Sequence, residues 1–187
     1  MATREVWLVR HGPTEWSRDQ RHTSVTDLPL LPDGEHAAQA LAARLADVEF
    51  GLVLTSPRLR ARRTAELAGF PEAESDDDLT EWAYGDYEGV TTEQIRERVP
   101  DWSVWTHPSP GGETAEQVTA RLDRVVERLR SADGRGLVFG HGHALRVLAA
   151  RWLGLPAADG RHFRLDTATV SALGHERENP VLLRWNS

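Results

Sequence analysis

The sequence lacks two residue types altogether, because its 187 residues include neither cysteine nor lysine. Without cysteine, the chain has no disulfide, no thiolate nucleophile and no zinc–thiolate site. Without lysine, it has neither a Schiff-base lysine nor the lysine of a P-loop. All 22 basic residues are therefore arginines, and the planar donor fork of arginine suits phosphate.

An excess of positive charge and long apolar runs are also missing. The formal net charge is -7, which argues against a nucleic-acid or anionic-membrane partner. No stretch approaches the ~18 apolar residues of a membrane span, and the first apolar run is too short for a signal peptide. We therefore predict a cytoplasmic protein with one domain over residues 1–187.

One stretch near the start combines a predicted strand with polar groups suited to chemistry. Residues 6–9 form a short run rich in β-branched and aromatic residues, which indicates a buried strand. Arg10, His11 and Gly12 follow at once, where ligand sites form in open α/β sheets. His11 is suited to act as a base, a metal ligand or a nucleophile. A hydrogen-bonded loop histidine is the simpler alternative.

A second strand at residues 52–55 is followed by a predicted helix with Pro57 in its first turn. Its first turns carry four arginines: Arg58, Arg60, Arg62 and Arg63. A solvated face explains most of them, but a helix start after a buried strand also offers free backbone N–H groups to an anion. Between the two strands, residues 17–32 are predicted to form a loop, whose His22, Thr23, Ser24 and Thr26 either contact a ligand or face solvent.

Residues 79–89 mix carboxylates with aromatic side chains. Glu81 lies beside Trp82 and near Tyr84, and aromatic neighbours that desolvate a carboxyl raise its pKa, as a general acid requires. The alternative is an aromatic cluster that packs a loop, with Glu81 and Glu88 in solvent.

A third strand, at residues 137–139, repeats the opening pattern, since Gly140, His141, Gly142 and His143 follow it. Two histidines at the ends of two parallel strands could face one ligand, although His143 is equally suited to cap the next helix. Further helices are predicted at residues 32–48, 91–99, 114–131 and 144–153, and late strands at 167–173 and 181–185, the last at a sheet edge.

Together these segments resemble the histidine phosphatase superfamily, also called the phosphoglycerate mutase-like family. Arg10-His11-Gly12 is similar to the family's Arg-His-Gly signature. Residues 56–65 are similar to its Ser-x-x-x-Arg-Ala-x-x-Thr element, which singles out Arg60 among the four arginines. The acid loop at residues 79–89, Gly-Glu-Thr at 112–114 and His-Gly at 141–142 follow in family order.

The resemblance implies a fold and a role for each matched residue. The fold is an α/β class, three-layer α/β/α sandwich with a mostly parallel central sheet. His11 would form a phosphohistidine, Glu81 would protonate the leaving oxygen and then activate water, and His141 would stabilise the transferring group. The implied phosphate-binding residues are Arg10, Arg60, His141 and Gly142. Candidate substrate-binding residues are Ser17, Thr23, Ser24, Trp82, Tyr84 and His143. No metal and no cofactor are expected.

Several segments, including residues 26–30 and 141–146, are most similar to the sugar-phosphate and broad acid phosphatase branch. The leading hypothesis is a metal-independent phosphomonoesterase that acts on a small phosphorylated metabolite. One alternative is a 2,3-bisphosphoglycerate-dependent phosphoglycerate mutase; Ser17, where mutases usually carry asparagine, and the few residues after the predicted strand at 167–173 argue against it. The other alternative is a non-catalytic phosphate-binding module. A homo-oligomer is left open.

Overall fold

Six strands form one sheet in the computed structural model, which describes residues 5–187. They are β1 (Val6–Arg10), β2 (Leu52–Thr55), β3 (Glu74–Ser75), β4 (Gly136–Gly140), β5 (Val170–Glu176) and β6 (Asn179–Arg184). Their spatial order is β3-β2-β4-β1-β5-β6. The first four are parallel, whereas β5 pairs antiparallel with both β1 and β6. The sheet is mostly parallel, as predicted, and β6 is at its edge.

Six α-helices accompany the sheet: α1 (Glu15–Arg18), α2 (Pro32–Leu45), α3 (Leu59–Leu67), α4 (Thr92–Arg96), α5 (Ala115–Ser131) and α6 (Gly142–Trp152). Successive strand residues point to opposite faces of a sheet. Leu8 accordingly packs in one apolar cluster with α5 and α6, while Val9 packs in a second cluster with α2 and α3. The result is the predicted three-layer α/β/α arrangement.

Helix starts follow local capping chemistry. Thr114 caps α5, because its hydroxyl accepts the Gln117 N–H at 3.3 Å and the Gln117 side chain accepts the Thr114 N–H at 2.9 Å. Thr14 and Ser17 form the same reciprocal pair at α1. The prediction of a loop from residue 17 was therefore wrong for the first residues, because this one-turn helix depends on its cap and has no apolar stripe.

The start of α3 also differs from the prediction. The helix begins at Leu59 with Arg58 as its N-cap, so Pro57 precedes it. The Leu59 N–H donates to Asp27 Oδ1 at 2.8 Å. A backbone N–H that was expected to be free for an anion at this helix start is therefore bonded to a carboxylate of the chain itself. Of the four arginines nearby, only Arg60 is fully buried.

In residues 5–187, no helix is both long enough and apolar enough to cross a bilayer. Residues 1–4 of the predicted domain lie outside the described residues, and the single domain stays a prediction.

Candidate active site

The two histidines that follow β1 and β4 come together because these strands are parallel neighbours. Arg10 is in register with Gly140, and the His11 N–H donates to Gly140 O at 3.0 Å. The ring centroids of His11 and His141 are 5.3 Å apart. The predicted meeting of two histidines at the carboxyl end of the sheet is confirmed.

The hydrogen bond of His11 determines which of its ring nitrogens is free. His11 Nδ1 is 2.8 Å from Gly12 O. A carbonyl oxygen only accepts, so Nδ1 carries the proton and Nε2 keeps its lone pair. Burial lowers the pKa of His11 well below 6.5, and the charges of Arg60 and Arg10 lower it further. His11 is therefore a neutral imidazole with a free nitrogen, which is the form that a nucleophile needs.

Three buried donors near His11 make no hydrogen bond within residues 5–187: Arg10 Nε, Arg60 Nε and His141 Nδ1. Arg10 Nη1 donates to Leu165 O at 2.6 Å. Ser56 Oγ has no other acceptor within residues 5–187, so its O–H donates to His141 Nε2 at 2.7 Å, and the one proton of the neutral His141 ring is on Nδ1. Buried donors are normally paired, so an unpaired group in a site calls for an explanation such as an absent ligand. Donors from two guanidinium groups and an imidazole suit an anion.

Glycine at position 142 keeps the α6 start close to Arg10. A Cβ atom on Gly142 would lie 3.3 Å from Arg10 Cζ. This approach is tighter than ordinary van der Waals contact, so a side chain here would push on the guanidinium.

Glu81 is 6% exposed and its carboxyl is held by backbone donors at the start of α6. Oε1 accepts the N–H groups of Trp82 at 2.9 Å and Ala144 at 2.8 Å, and Oε2 accepts the His143 N–H at 3.0 Å. The sequence indicates the aromatic neighbours Trp82 and Tyr84, but it does not indicate these backbone donors.

A cavity of about 320 Å³ opens beside these residues. It is lined by Arg10, His11, Ser17, Gln20, Arg21, His22, Thr23, Glu81, Tyr84, Gly142, His143, Arg146, Leu165 and Asp166. Four of the six predicted substrate-binding residues, Ser17, Thr23, Tyr84 and His143, are in this lining. Arg60 and His141 are fully buried and lie outside it.

Two predicted substrate-binding residues have other contacts. Ser24 is 2% exposed and its hydroxyl donates to Glu88 Oε2 at 2.5 Å, so Glu88 is bonded rather than solvated. Trp82 is 3% exposed and its indole N–H donates to Glu113 O at 3.0 Å. Both side chains bond protein partners outside the cavity lining, and their part in substrate binding stays a prediction.

Five lining residues were missed as site residues from the sequence: Gln20, Arg21, Arg146, Leu165 and Asp166. Arg146 is four positions after Gly142, so helical periodicity would have placed it on the same face of α6. The other four are in irregular segments, where no local pattern indicates a ligand. His143 is the second residue of α6 rather than its cap, which is His141.

Comparison with known proteins gives the family. The family model of the histidine phosphatase superfamily (branch 1) matches residues 6–187. The chain belongs to this superfamily. It is 40% identical to a solved Mycobacterium tuberculosis open-reading-frame product, with a TM-score of 0.91 over 97% of this chain and 96% of that one.

Superfamily relatives with curated names include phosphatases and mutases. An acid phosphatase of Mycobacterium tuberculosis is 43% identical over 90% of this chain and 85% of the relative. Sedoheptulose 1,7-bisphosphatase of Saccharomyces cerevisiae is 38% identical over 79% of this chain and 67% of the relative. A probable phosphoglycerate mutase of Serratia proteamaculans is 30% identical over 97% of this chain and 89% of the relative.

Proposed function

We propose that this histidine phosphatase superfamily member is a metal-independent phosphomonoesterase that hydrolyses a small sugar phosphate through a phosphohistidine on His11. The observation that carries the proposal is the set of unpaired buried donors, Arg10 Nε, Arg60 Nε and His141 Nδ1, around a neutral His11. Phosphoryl transfer needs mainly positioning and stabilisation of charge on the transferring oxygens, which such donors supply.

In the first step, His11 Nε2 attacks phosphorus and the P–O bond to the leaving group breaks. The leaving oxygen needs a proton, and Glu81 Oε2 is the atom that we assign to deliver it. A carboxylate has about four lone-pair sites, and backbone donors occupy three of those of Glu81. The remaining site, on Oε2, has room for a proton. The proton that Glu81 delivers is the one that it takes from water in the second step of the preceding turnover.

In the second step, water attacks the phosphohistidine and Glu81 accepts the proton of the water. The P–N bond breaks, which releases inorganic phosphate and returns His11 to its neutral form. Splitting one difficult displacement into two easier ones is the general gain of covalent catalysis.

Two arginines and His141 would neutralise the phosphate in place of a metal ion. Among residues 5–187, no group of three or more His, Cys, Asp or Glu side chains is arranged to hold a metal. The class of leaving group is inferred from the relatives, of which one is named an acid phosphatase and one a sugar bisphosphatase. A polar cavity of about 320 Å³ suits a leaving group of sugar size.

The test is phosphate release from a panel of sugar phosphates in excess EDTA, with rapid-quench trapping of labelled enzyme. We expect turnover and an acid-labile, base-stable phosphoenzyme in the wild type, and neither in His11→Ala. His36→Ala is the matched control, because His36 is exposed on α2. Labelling that persists in His11→Ala would reject the nucleophile, and a strict metal requirement would reject the metal-independent mechanism. A non-catalytic phosphate-binding module would release no phosphate from any ester.

A further inference from the structure

Tyr84 and His143 form a hydrogen-bonded pair in the wall of the cavity. The Tyr84 hydroxyl is 2.5 Å from His143 Nδ1, and both residues line the cavity. Tyr84 is 2% exposed, and its hydroxyl has no other hydrogen-bond partner within residues 5–187. The pair lies at the leaving-group side of the cavity, because the backbone N–H of the same His143 binds Glu81 Oε2 at 3.0 Å.

The direction of this hydrogen bond follows from the protonation of its partners. Burial raises the pKa of Tyr84 well above 10, and the charge of Glu81 acts in the same sense. The hydroxyl therefore stays protonated. Because His143 Nδ1 is its only possible acceptor within residues 5–187, the hydroxyl donates and Nδ1 accepts. Burial lowers the pKa of His143 well below 6.5, and the charges of Arg146 and Arg10 lower it further. The single ring proton of His143 is consequently on Nε2.

The ring of His143 is also fixed in orientation. Its centroid is 5.1 Å from Trp105 and 5.8 Å from Tyr84, with interplanar angles of 66° and 77°. Such edge-to-face contacts oppose rotation of the ring. His143 Nε2 makes no hydrogen bond within residues 5–187, and it is not among their fully buried unpaired atoms. It is therefore an accessible donor in the wall of a ligand cavity.

We propose that Tyr84 is a positioning residue that fixes the tautomer of His143. The Nε2–H of His143 then donates to a leaving-group oxygen carried by the carbon adjacent to the ester carbon. This inference rests on the proposed function and deepens it. The pair would select leaving groups with a hydroxyl on the carbon adjacent to the ester carbon, as in a sugar. A leaving group without that oxygen would leave the donor unpaired, which costs transition-state stabilisation.

A matched pair of substrates isolates this contact. Ethyl phosphate and 2-hydroxyethyl phosphate differ by one hydroxyl on the adjacent carbon. We expect the wild type to prefer 2-hydroxyethyl phosphate by about tenfold in kcat/KM, as one hydrogen bond allows. The preference should fall to near unity in Tyr84→Phe and His143→Leu. His143→Gln, which keeps an N–H donor, should retain part of it. Phenyl phosphate, which has no such hydroxyl, measures the general loss of activity in each variant, and the preference is normalised to it.

Tyr87→Phe is the matched control, because Tyr87 is the only other tyrosine of the chain. Its hydroxyl makes no hydrogen bond within residues 5–187, and it lies outside the cavity lining. Nitrogen-15 spectra of the histidine rings report the tautomer of His143, which would not change if the role of Tyr84 were merely structural. We expect unprotonated Nδ1 and protonated Nε2 in wild-type His143, and a mixture of tautomers in Tyr84→Phe.

Two results would overturn the proposal: a proton on Nδ1 of wild-type His143, or a hydroxyl preference that survives in both Tyr84→Phe and His143→Leu. If the wild type hydrolysed none of the esters, the proposed function would fail separately. Calorimetric dissociation constants of the two alkyl phosphates on His11→Ala then test the hydrogen bond alone. Tighter binding of 2-hydroxyethyl phosphate would support it, and equal binding would refute it.

Discussion

Burial disfavours the charged form of the histidines at and behind the cavity wall. Burial lowers the pKa values of His11 and His141 well below 6.5, and arginine charges add to the effect. Burial also lowers the pKa of His22 to about 4. The proposed nucleophile His11 is thereby unprotonated under conditions where an ordinary histidine carries charge.

The neutral histidines predict a loss of stability in mild acid. In the unfolded chain, His11, His22, His141 and His143 regain a pKa near 6.5 and bind protons that the folded state refuses. Their contribution to stability is thus present above pH ~6.5 and is lost as the pH falls, by about 1.4 kcal/mol per pH unit for each fully titrating histidine. Urea unfolding from about pH 7 to about pH 5 measures the slope. His22→Gln should reduce the slope relative to His36→Gln, a matched exposed-histidine control. A pH-independent unfolding free energy would contradict this prediction.

The proposed role of Glu81 as proton donor predicts that the loss of activity in Glu81→Gln depends on the leaving group. Glu81→Gln should lower kcat/KM for sugar phosphates by about 10²–10³-fold, since alkoxides are poor leaving groups without a general acid. The loss on p-nitrophenyl phosphate should be much smaller, because p-nitrophenolate leaves without protonation. Comparing the two substrates on one preparation also controls for any disturbance of the α6 start. An equal loss on both would assign proton transfer to another group.

The loop between α1 and α2 is bound on both sides of its backbone by charged side chains. Glu88 accepts the N–H groups of Ser24 and Thr26 at 2.9 and 3.0 Å, and the Ser24 hydroxyl. Arg60 donates from its Nη atoms to the carbonyl oxygens of Thr23, Ser24 and Thr26 at 3.0–3.3 Å. Burial raises the pKa of Glu88, but these hydrogen bonds outweigh it and leave the pKa below its usual range. The loop therefore links Glu88 to the orientation of Arg60, which we propose binds phosphate.

This link predicts that a residue outside the cavity lining affects phosphate binding. Glu88→Gln keeps the shape of the side chain but removes its charge and places an amide against N–H donors. We expect kcat/KM to fall by about tenfold and the melting temperature to fall, because hydrogen bonds to a charged acceptor are among the stronger ones. Inhibition by vanadate should weaken in parallel. Glu127→Gln, at an exposed position on α5, is the control. Wild-type vanadate affinity in Glu88→Gln would refute the link.

Across the whole molecule, the features predictable from sequence are those encoded within short segments. The strand before His11 and the strand before His141 are buried apolar runs, and their parallel pairing follows from the α/β pattern. The partners of Ser24 and Trp82 could not be predicted, because Glu88 and Glu113 are distant from them in sequence. No local pattern shows that a polar side chain already has a partner.

The same reason explains the missed side of the cavity. Leu165 and Asp166 precede β5, whose antiparallel pairing with β1 brings them beside Arg10. Antiparallel addition of a strand to a parallel sheet is a property of the assembled fold, and periodicity within residues 165–176 does not report it. The site residues that directly follow a strand are thus predictable from sequence motifs. Those in loops that reach the cavity through tertiary packing are not.

The polar lining of the cavity predicts whether water or a second hydroxyl takes the phosphoryl group from His11. A mutase must keep water away from its phosphohistidine while the bound intermediate turns over, which requires an enclosed site. Here every lining residue except Gly142 and Leu165 has a polar or charged side chain, and Gln20, Arg21 and Asp166 are exposed. We expect such a lining to hold water beside His11. The phosphohistidine should therefore be hydrolysed faster than its phosphoryl group is transferred to a second hydroxyl.

We therefore expect 3-phosphoglycerate with 2,3-bisphosphoglycerate to yield little 2-phosphoglycerate, while at least one sugar phosphate releases inorganic phosphate readily. A coupled mutase assay beside a phosphate-release assay on one preparation makes the comparison. His11→Ala is the blank for both, because each reaction passes through the same nitrogen. Added glycerol gives an independent measure, since an open phosphoenzyme partitions between water and the added alcohol in proportion to their concentrations. If isomerisation were faster than phosphate release from every compound in the panel, the proposed phosphatase function would be wrong and a mutase function would replace it.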